Sequence, residues 1–175
     1  MTVIHCTYSY KGAITMIYHP IKPLYDNNSE ILILGSFPSV KSREQMFFYG
    51  HPQNRFWKVT AAVFGDEVPR TIEEKKVFLL KNRVALWDVI ASCEISGSSD
   101  SSIKSVTPNN LSQIIDKGKI KRIFVNGKTA EKYYNKYTRD KIGMEAVCLP
   151  STSPANAAWS MEKLIKAWSV IADRL

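Results

Sequence analysis

Four short apolar runs punctuate the chain, each closed by small or polar residues. Ile31 to Leu34 ends at Gly35, Val84 to Ile90 opens into a serine-rich stretch, Arg122 to Val125 ends at Asn126-Gly127, and Ala146 to Leu149 ends at Pro150-Ser151. Runs this short, apolar at nearly every position, predict strands covered on both faces. Between them the apolar residues recur at helical spacing. Asn54 to Phe64 places Trp57, Ala61 and Phe64 on one face, and Lys128 to about Tyr137 reads as another helix. Thr71-Ile72-Glu73-Glu74 has the spacing of a capping box and predicts a helix to about Lys81. Thr107 followed by Pro108 predicts the cap and first position of a short helix that Gly118 ends. Ser153-Pro154 predicts the same at the start of a last helix reaching Leu175, with Met161, Leu164, Ile165, Trp168, Ile171 and Leu175 as its apolar stripe.

Strands alternating with helices predict an α/β fold: a three-layer αβα sandwich around a central, mainly parallel four-stranded sheet. The pattern shows no repeat, low-complexity stretch or linker, so residues 1–175 are expected to form a single domain, with 1–18 as an irregular N-terminal extension and the chain to about residue 30 irregular. Residues 36–53 and 91–105 are expected as loops. Ligands of such sheets bind beyond the carboxyl ends of the strands. Gly35-Ser36-Phe37-Pro38, Asp88, Asn126-Gly127 and Pro150-Ser151-Thr152-Ser153 all follow predicted strands, so the pattern brings four polar strand ends to one rim.

Charge narrows the choice of partner. Lysines and arginines outnumber acidic residues for a net charge of +8, which favours a polyanion. Lys117, Lys119, Lys121 and Arg122 read as a solvated basic face, whereas Lys128 and Lys132 lie beside the rim and suit phosphate. The three cysteines, Cys6, Cys93 and Cys148, have no metal or disulfide spacing, and Cys148 reads as a small core residue. The three histidines, His5, His19 and His51, have none either, and His51 is expected to shape its loop between Gly50 and Pro52. No metal, no cofactor and no membrane partner are expected, and a cytoplasmic monomer is the default.

Several residues have two readings. Ser153 is a helix cap, or one of a set with Ser151, Thr152 and Asn156 that holds an anion such as a DNA phosphate. Asn54 is a cap for the helix it precedes, or a functional amide. Tyr49 packs, or offers a flat surface for a flipped base. Asn126 is a turn residue before Gly127, or presents its amide to a ligand. Ser98 and Asp100 hold their own loop, or line a pocket. Asp88 is expected to be structural.

Ile31-Leu32-Ile33-Leu34-Gly35-Ser36-Phe37-Pro38-Ser39 and Leu149-Pro150-Ser151-Thr152-Ser153-Pro154-Ala155-Asn156 resemble the two active-site motifs of the uracil-DNA glycosylase superfamily. Tyr49-Gly50-His51-Pro52-Gln53-Asn54-Arg55-Phe56-Trp57 resembles its mismatch-specific branch. Phe37 departs from both patterns, standing where those enzymes carry a catalytic asparagine or aspartate. With Phe37, and with Ala85 to Ile90 and Gly97 to Ile103, the whole is similar to the hypoxanthine-DNA (deoxyinosine) glycosylases. That resemblance, over roughly His19 to Trp168, implies a monofunctional repair glycosylase acting on DNA with a deaminated base. It implies Asn54 as the catalytic residue, holding water near the sugar, and a base pocket of Ser36, Phe37, Tyr49, Ser98 and Asn126. It places Ser151, Thr152, Ser153, Asn156 and Lys128 on the DNA. Uracil opposite guanine is the competing substrate. Loss of the polar group at position 37 leaves open a module that binds damaged DNA without turnover, and a nucleoside hydrolase is a third alternative.

Overall fold

The computed structural model describes residues 15–173. Its elements, in order, are β1 (Met16–Tyr18), β2 (Ile31–Gly35), α1 (Val40–Gln45), α2 (Phe56–Phe64), α3 (Ile72–Lys81), β3 (Val84–Asp88), β4 (Ile90–Glu94), β5 (Lys104–Pro108), α4 (Ser112–Lys117), β6 (Arg122–Asn126), α5 (Lys128–Tyr137), α6 (Arg139–Ile142), β7 (Ala146–Leu149) and α7 (Met161–Trp168). Two 3-10 turns, Asp100–Ser102 and Ser169–Ile171, complete them.

The apolar runs become the central sheet. All its neighbours are parallel, in the order β3-β2-β6-β7. Every residue of β2 and β3 is buried, as strands with cover on both faces must be, while edge strand β7 leaves Val147 exposed. From β2 the chain moves outward one way to β3, and from β6 the other way to β7. Right-handed crossovers therefore place the intervening helices on opposite faces, giving the expected α/β sandwich. Helix α3 starts with the expected capping box, with Thr71 accepting from Glu74 N and Glu74 accepting from Thr71 N.

A second sheet was not foreseen. Val84 to Ile90 is two strands rather than one. β3 stops at Asp88, the Val89 and Ile90 amides donate to Gly35 O and Ser36 O, and the chain then enters β4. β4 is the middle of an antiparallel sheet ordered β1-β4-β5. Both Val89 and Ile90 are fully buried, so hydrophobicity alone cannot mark the break. Met16–Tyr18 pairs with Ser92–Glu94, which replaces the irregular chain expected there. Residues 1–14, with His5 and Cys6, lie outside the described residues, as does Leu175. Thr107 and Pro108 do not cap a helix; they end β5, an edge strand where a missing N–H is tolerated. The helix follows later as α4, whose last turn Gly118 does close.

The last helix is also shorter than expected. It begins at Met161, capped by Ser160 Oγ accepting from Lys163 N, so Ser153 and Pro154 do not start it. Within it and the following turn, Leu164, Trp168 and Ile171 are buried as the stripe requires. Among the described residues no helix is long and apolar enough to cross a membrane.

Candidate active site

The carboxyl ends of the central strands open onto one cavity of about 990 Å³, lined by Gly35, Ser36, Asp88, Asn126, Leu149 and Pro150 from the strand ends. Loops complete it: Phe37 to Ser39, the stretch with Phe48, Tyr49, His51 and Asn54, Ser98 to Ser101, and Ser151 to Asn156. The volume is at the upper end of the range for small-molecule sites. All eleven of Ser36, Phe37, Tyr49, Asn54, Ser98, Asn126, Lys128, Ser151, Thr152, Ser153 and Asn156 border it.

Asn54 is not the cap of α2, a place that Arg55 takes without a side-chain hydrogen bond. Asn54 Oδ1 accepts from Phe56 N at 2.9 Å, a cap-like bond made from just ahead of α2, and from Thr152 Oγ1 at 3.0 Å. Its Nδ2 takes no partner among the described residues, and Asn54 is one of the residues lining the cavity. Asn126, the last residue of β6, donates from Nδ2 to Thr152 Oγ1 at 2.9 Å and accepts from Thr152 N at 3.0 Å. The loop comes this close to β6 because Gly127, at φ +94°, carries no Cβ. A Cβ there would lie 2.9 Å from Ser151 Cβ.

Thr152 is fully buried, which does not suit the surface contact with DNA expected of it. Nor do Ser151 and Ser153 stand at a helix N-terminus. Ser153 N donates to Ser151 Oγ at 3.2 Å, and Asn156 Nδ2 to Ser151 O at 2.9 Å, so these side chains brace their own turns. Lys128 is exposed and paired with Glu131 at 2.7 Å.

Aromatic rings form the walls. Tyr49 lies face to face with Phe56, centroids 4.0 Å apart, and holds a left-handed backbone at φ +50°. Its hydroxyl is enclosed and makes no hydrogen bond of standard geometry among the described residues, although the Asn126 amide, which keeps a second N–H beyond the one given to Thr152, lies near enough to favour the ionised phenol. Burial, and then the charge of Asp88, push that phenol well above its usual range. Phe37 is buried edge-to-face with His19 at 5.8 Å, and the Arg43 guanidinium lies 5.7 Å from its ring centre. Ser36 Oγ reaches both carboxylate oxygens of Asp100 at 3.2 Å, and Ser98 Oγ accepts from Val40 N at 2.9 Å, tying the serine-rich loop to α1. His51 Nδ1 accepts from Gln53 N, the loop-shaping role expected of it.

Two features escaped the pattern. Beneath the cavity, His19 Nε2 donates to Asp88 Oδ2 at 2.8 Å while its Nδ1 accepts from Ile21 N. The partners are far apart in sequence, so no spacing announces them. Arg55 is the second. Its guanidinium donates to the carbonyls of Thr152, Ser153, Asn156 and Trp159, and its backbone N–H also donates to Thr152 O. The Ser153 and Asn156 carbonyls also accept from Asn156 N and Trp159 N, so the guanidinium braces a run of turns ahead of α7. Its place beside Asn54 in a motif was the one available signal.

Fold and rim together define an α/β protein with a ligand cavity at its strand ends and converging amides and aromatic planes. The profile of the uracil DNA glycosylase superfamily matches residues 22–172, and the chain belongs to that superfamily. It is 36% identical over 150 residues to a hypoxanthine DNA glycosylase of Methanosarcina acetivorans, covering 85% of this chain and 94% of that protein. It is 34% identical over 136 residues to a protein of the same description from Methanosarcina barkeri, covering 77% and 85%. Among solved structures, the solution NMR structure of a candidate uracil DNA glycosylase from Methanosarcina acetivorans superposes with a TM-score of 0.77 at 32% identity, covering 90% of this chain and 98% of that one.

Proposed function

We propose that the protein is a monofunctional DNA glycosylase that excises hypoxanthine from deoxyinosine, with uracil as its second substrate. Membership of the superfamily and two relatives described as hypoxanthine DNA glycosylases support the reaction class. The observation that carries the reading is Asn54, which lines the cavity with its amide oxygen held by Phe56 N and Thr152 Oγ1 and its amide nitrogen without a partner among the described residues.

The extruded base enters the cavity at the cost of a few kcal/mol of unstacking, least for a mispaired base. It stacks on the face of Tyr49 turned away from Phe56, with Phe37 closing another side. The N-glycosidic bond breaks with its electron pair leaving on the base, and the sugar becomes cation-like. Backbone amides at Ser36 and Phe37 stabilise the charge developing on the base. A water held by Asn54 through one lone pair attacks the sugar carbon with the other. Its oxygen and one hydrogen remain on the sugar, and its second proton ends on the released base. Asn126 and Ser98 shape the pocket, while Ser151, Ser153, Asn156 and Lys128 face the DNA strand.

Single-turnover base release from duplexes bearing one deoxyinosine or one deoxyuridine tests this, with Asn54→Ala beside the wild type. The expected result is hypoxanthine release by the wild type, slowed about 100-fold or more in the variant. Release undiminished in Asn54→Ala removes Asn54 from the chemistry. No release from either lesion, with tight binding retained, leaves a lesion-binding module.

A further inference from the structure

Two backbone amides dictate the direction of the hydrogen bonds joining Asn54, Thr152 and Asn126. Phe56 N–H has only a proton to offer, so the Asn54 atom 2.9 Å from it is Oδ1. Thr152 N–H likewise assigns the Asn126 atom 3.0 Å away as Oδ1. The other end of Asn126 is then Nδ2, a donor only, and it lies 2.9 Å from Thr152 Oγ1. The hydroxyl must accept there, which leaves its single proton for Asn54 Oδ1 at 3.0 Å. Flipping either amide would set two donors or two acceptors against each other in a site where Thr152 is fully buried.

We propose that Thr152 is the positioning residue of the glycosylase reaction: its hydroxyl relays the fixed polarity of Asn126 to Asn54 and aims Asn54 Nδ2 into the cavity as a pure donor. The inference rests on the reading of Asn54 given above. Asn54 Oδ1 already accepts two hydrogen bonds, so the residue offers the reacting centre an N–H and no basic lone pair. It holds water or the departing base by donation and takes no proton.

The hydroxyl and the methyl of Thr152 separate cleanly by substitution. Thr152→Val keeps the shape and removes the relay; Thr152→Ser keeps the relay and removes the methyl. Base release under single-turnover conditions, at saturating protein, is read beside affinity for the same deoxyinosine duplex and beside the side-chain amide NMR signals of Asn54 and Asn126. Thr152→Val is expected to slow the bond-breaking step about 100-fold, as misplacing a reacting group does, with affinity little changed. Its Asn54 and Asn126 side-chain signals should move, and Thr152→Ser should restore both rate and signals. Equal rates for Thr152→Val and wild type overturn the proposal, as do equal losses in Val and Ser, which would assign the effect to packing. Should Thr152→Val fail to fold, Asn54→Asp decides. It keeps an acceptor for Phe56 N and Thr152 Oγ1 but puts an oxygen where Nδ2 stood. A loss as large as that of Asn54→Ala supports donation, and retained activity overturns it. If the wild type releases neither base, the proposed function fails, while the NMR signals still report whether the relay exists.

Discussion

At Gly35 a missing Cβ makes room for the floor of the cavity. A Cβ there would lie 2.2 Å from Asp88 Oδ1 and 3.3 Å from the Tyr49 hydroxyl. Asp88 cannot retreat freely, because its other oxygen is held by His19. Gly35→Ala should therefore destabilise the fold by about 2 kcal/mol, the usual effect of overpacking, seen as a lower denaturant midpoint. An unchanged midpoint would mean that Asp88 swings aside and that the His19 pair is not rigid. Residue identities were legible in the sequence where a motif carried them, as with Asn54 and Tyr49. His19 and Arg55 were not, because their partners lie 69 residues away for His19 and 97 to 104 away for Arg55.

Elements whose reason is local came out as read. The capping box set the start of α3, the helix over Lys128–Tyr137 formed, and three of the four apolar runs became strands of the central sheet as read, while Val84 to Ile90 broke after Asp88. Elements decided by a distant partner did not. Ser153-Pro154 has every local mark of a helix start, yet the chain there makes turns that the Arg55 guanidinium braces through four carbonyls. Arg55→Lys tests that account, because an ammonium cannot serve four carbonyls with a fork of fixed geometry. The loss should be about 2–3 kcal/mol in unfolding free energy, with faster proteolysis between Ser153 and Ser160. A variant as stable and as protease-resistant as the wild type would show that the loop holds without the clamp. Thr107-Pro108 failed for a related reason: β4, a partner remote from any helical pattern, recruits those residues into a sheet.

Over the whole molecule, the net charge of +8 is the property most directly tied to a DNA partner. The formed ion pairs neutralise part of it locally, Lys128 with Glu131 and Arg83 with Glu30 among them, without changing the total. Affinity for duplex DNA should fall steeply with salt, the log–log slope steepening by about 0.9 for each phosphate contacted. Titration of undamaged duplex across a salt series measures it. A slope near zero would mean that the excess charge lies away from the bound strand.

The buried parallel sheet was legible in the chain alone, because runs with hardly a polar side chain suit strands covered on both faces. The sequence by itself also determined which strand ends carry polar residues, and hence the rim where the cavity opens. The tertiary structure decided which of those residues face the cavity and which hold it together. Thr152 passed from the expected DNA surface to the buried link between two asparagines, and Asn54 acquired a direction. Hydrophobic periodicity records burial, which is averaged over a whole face. The orientation of an amide depends on single donors and acceptors brought together from distant parts of the chain, and those distances exist only after folding.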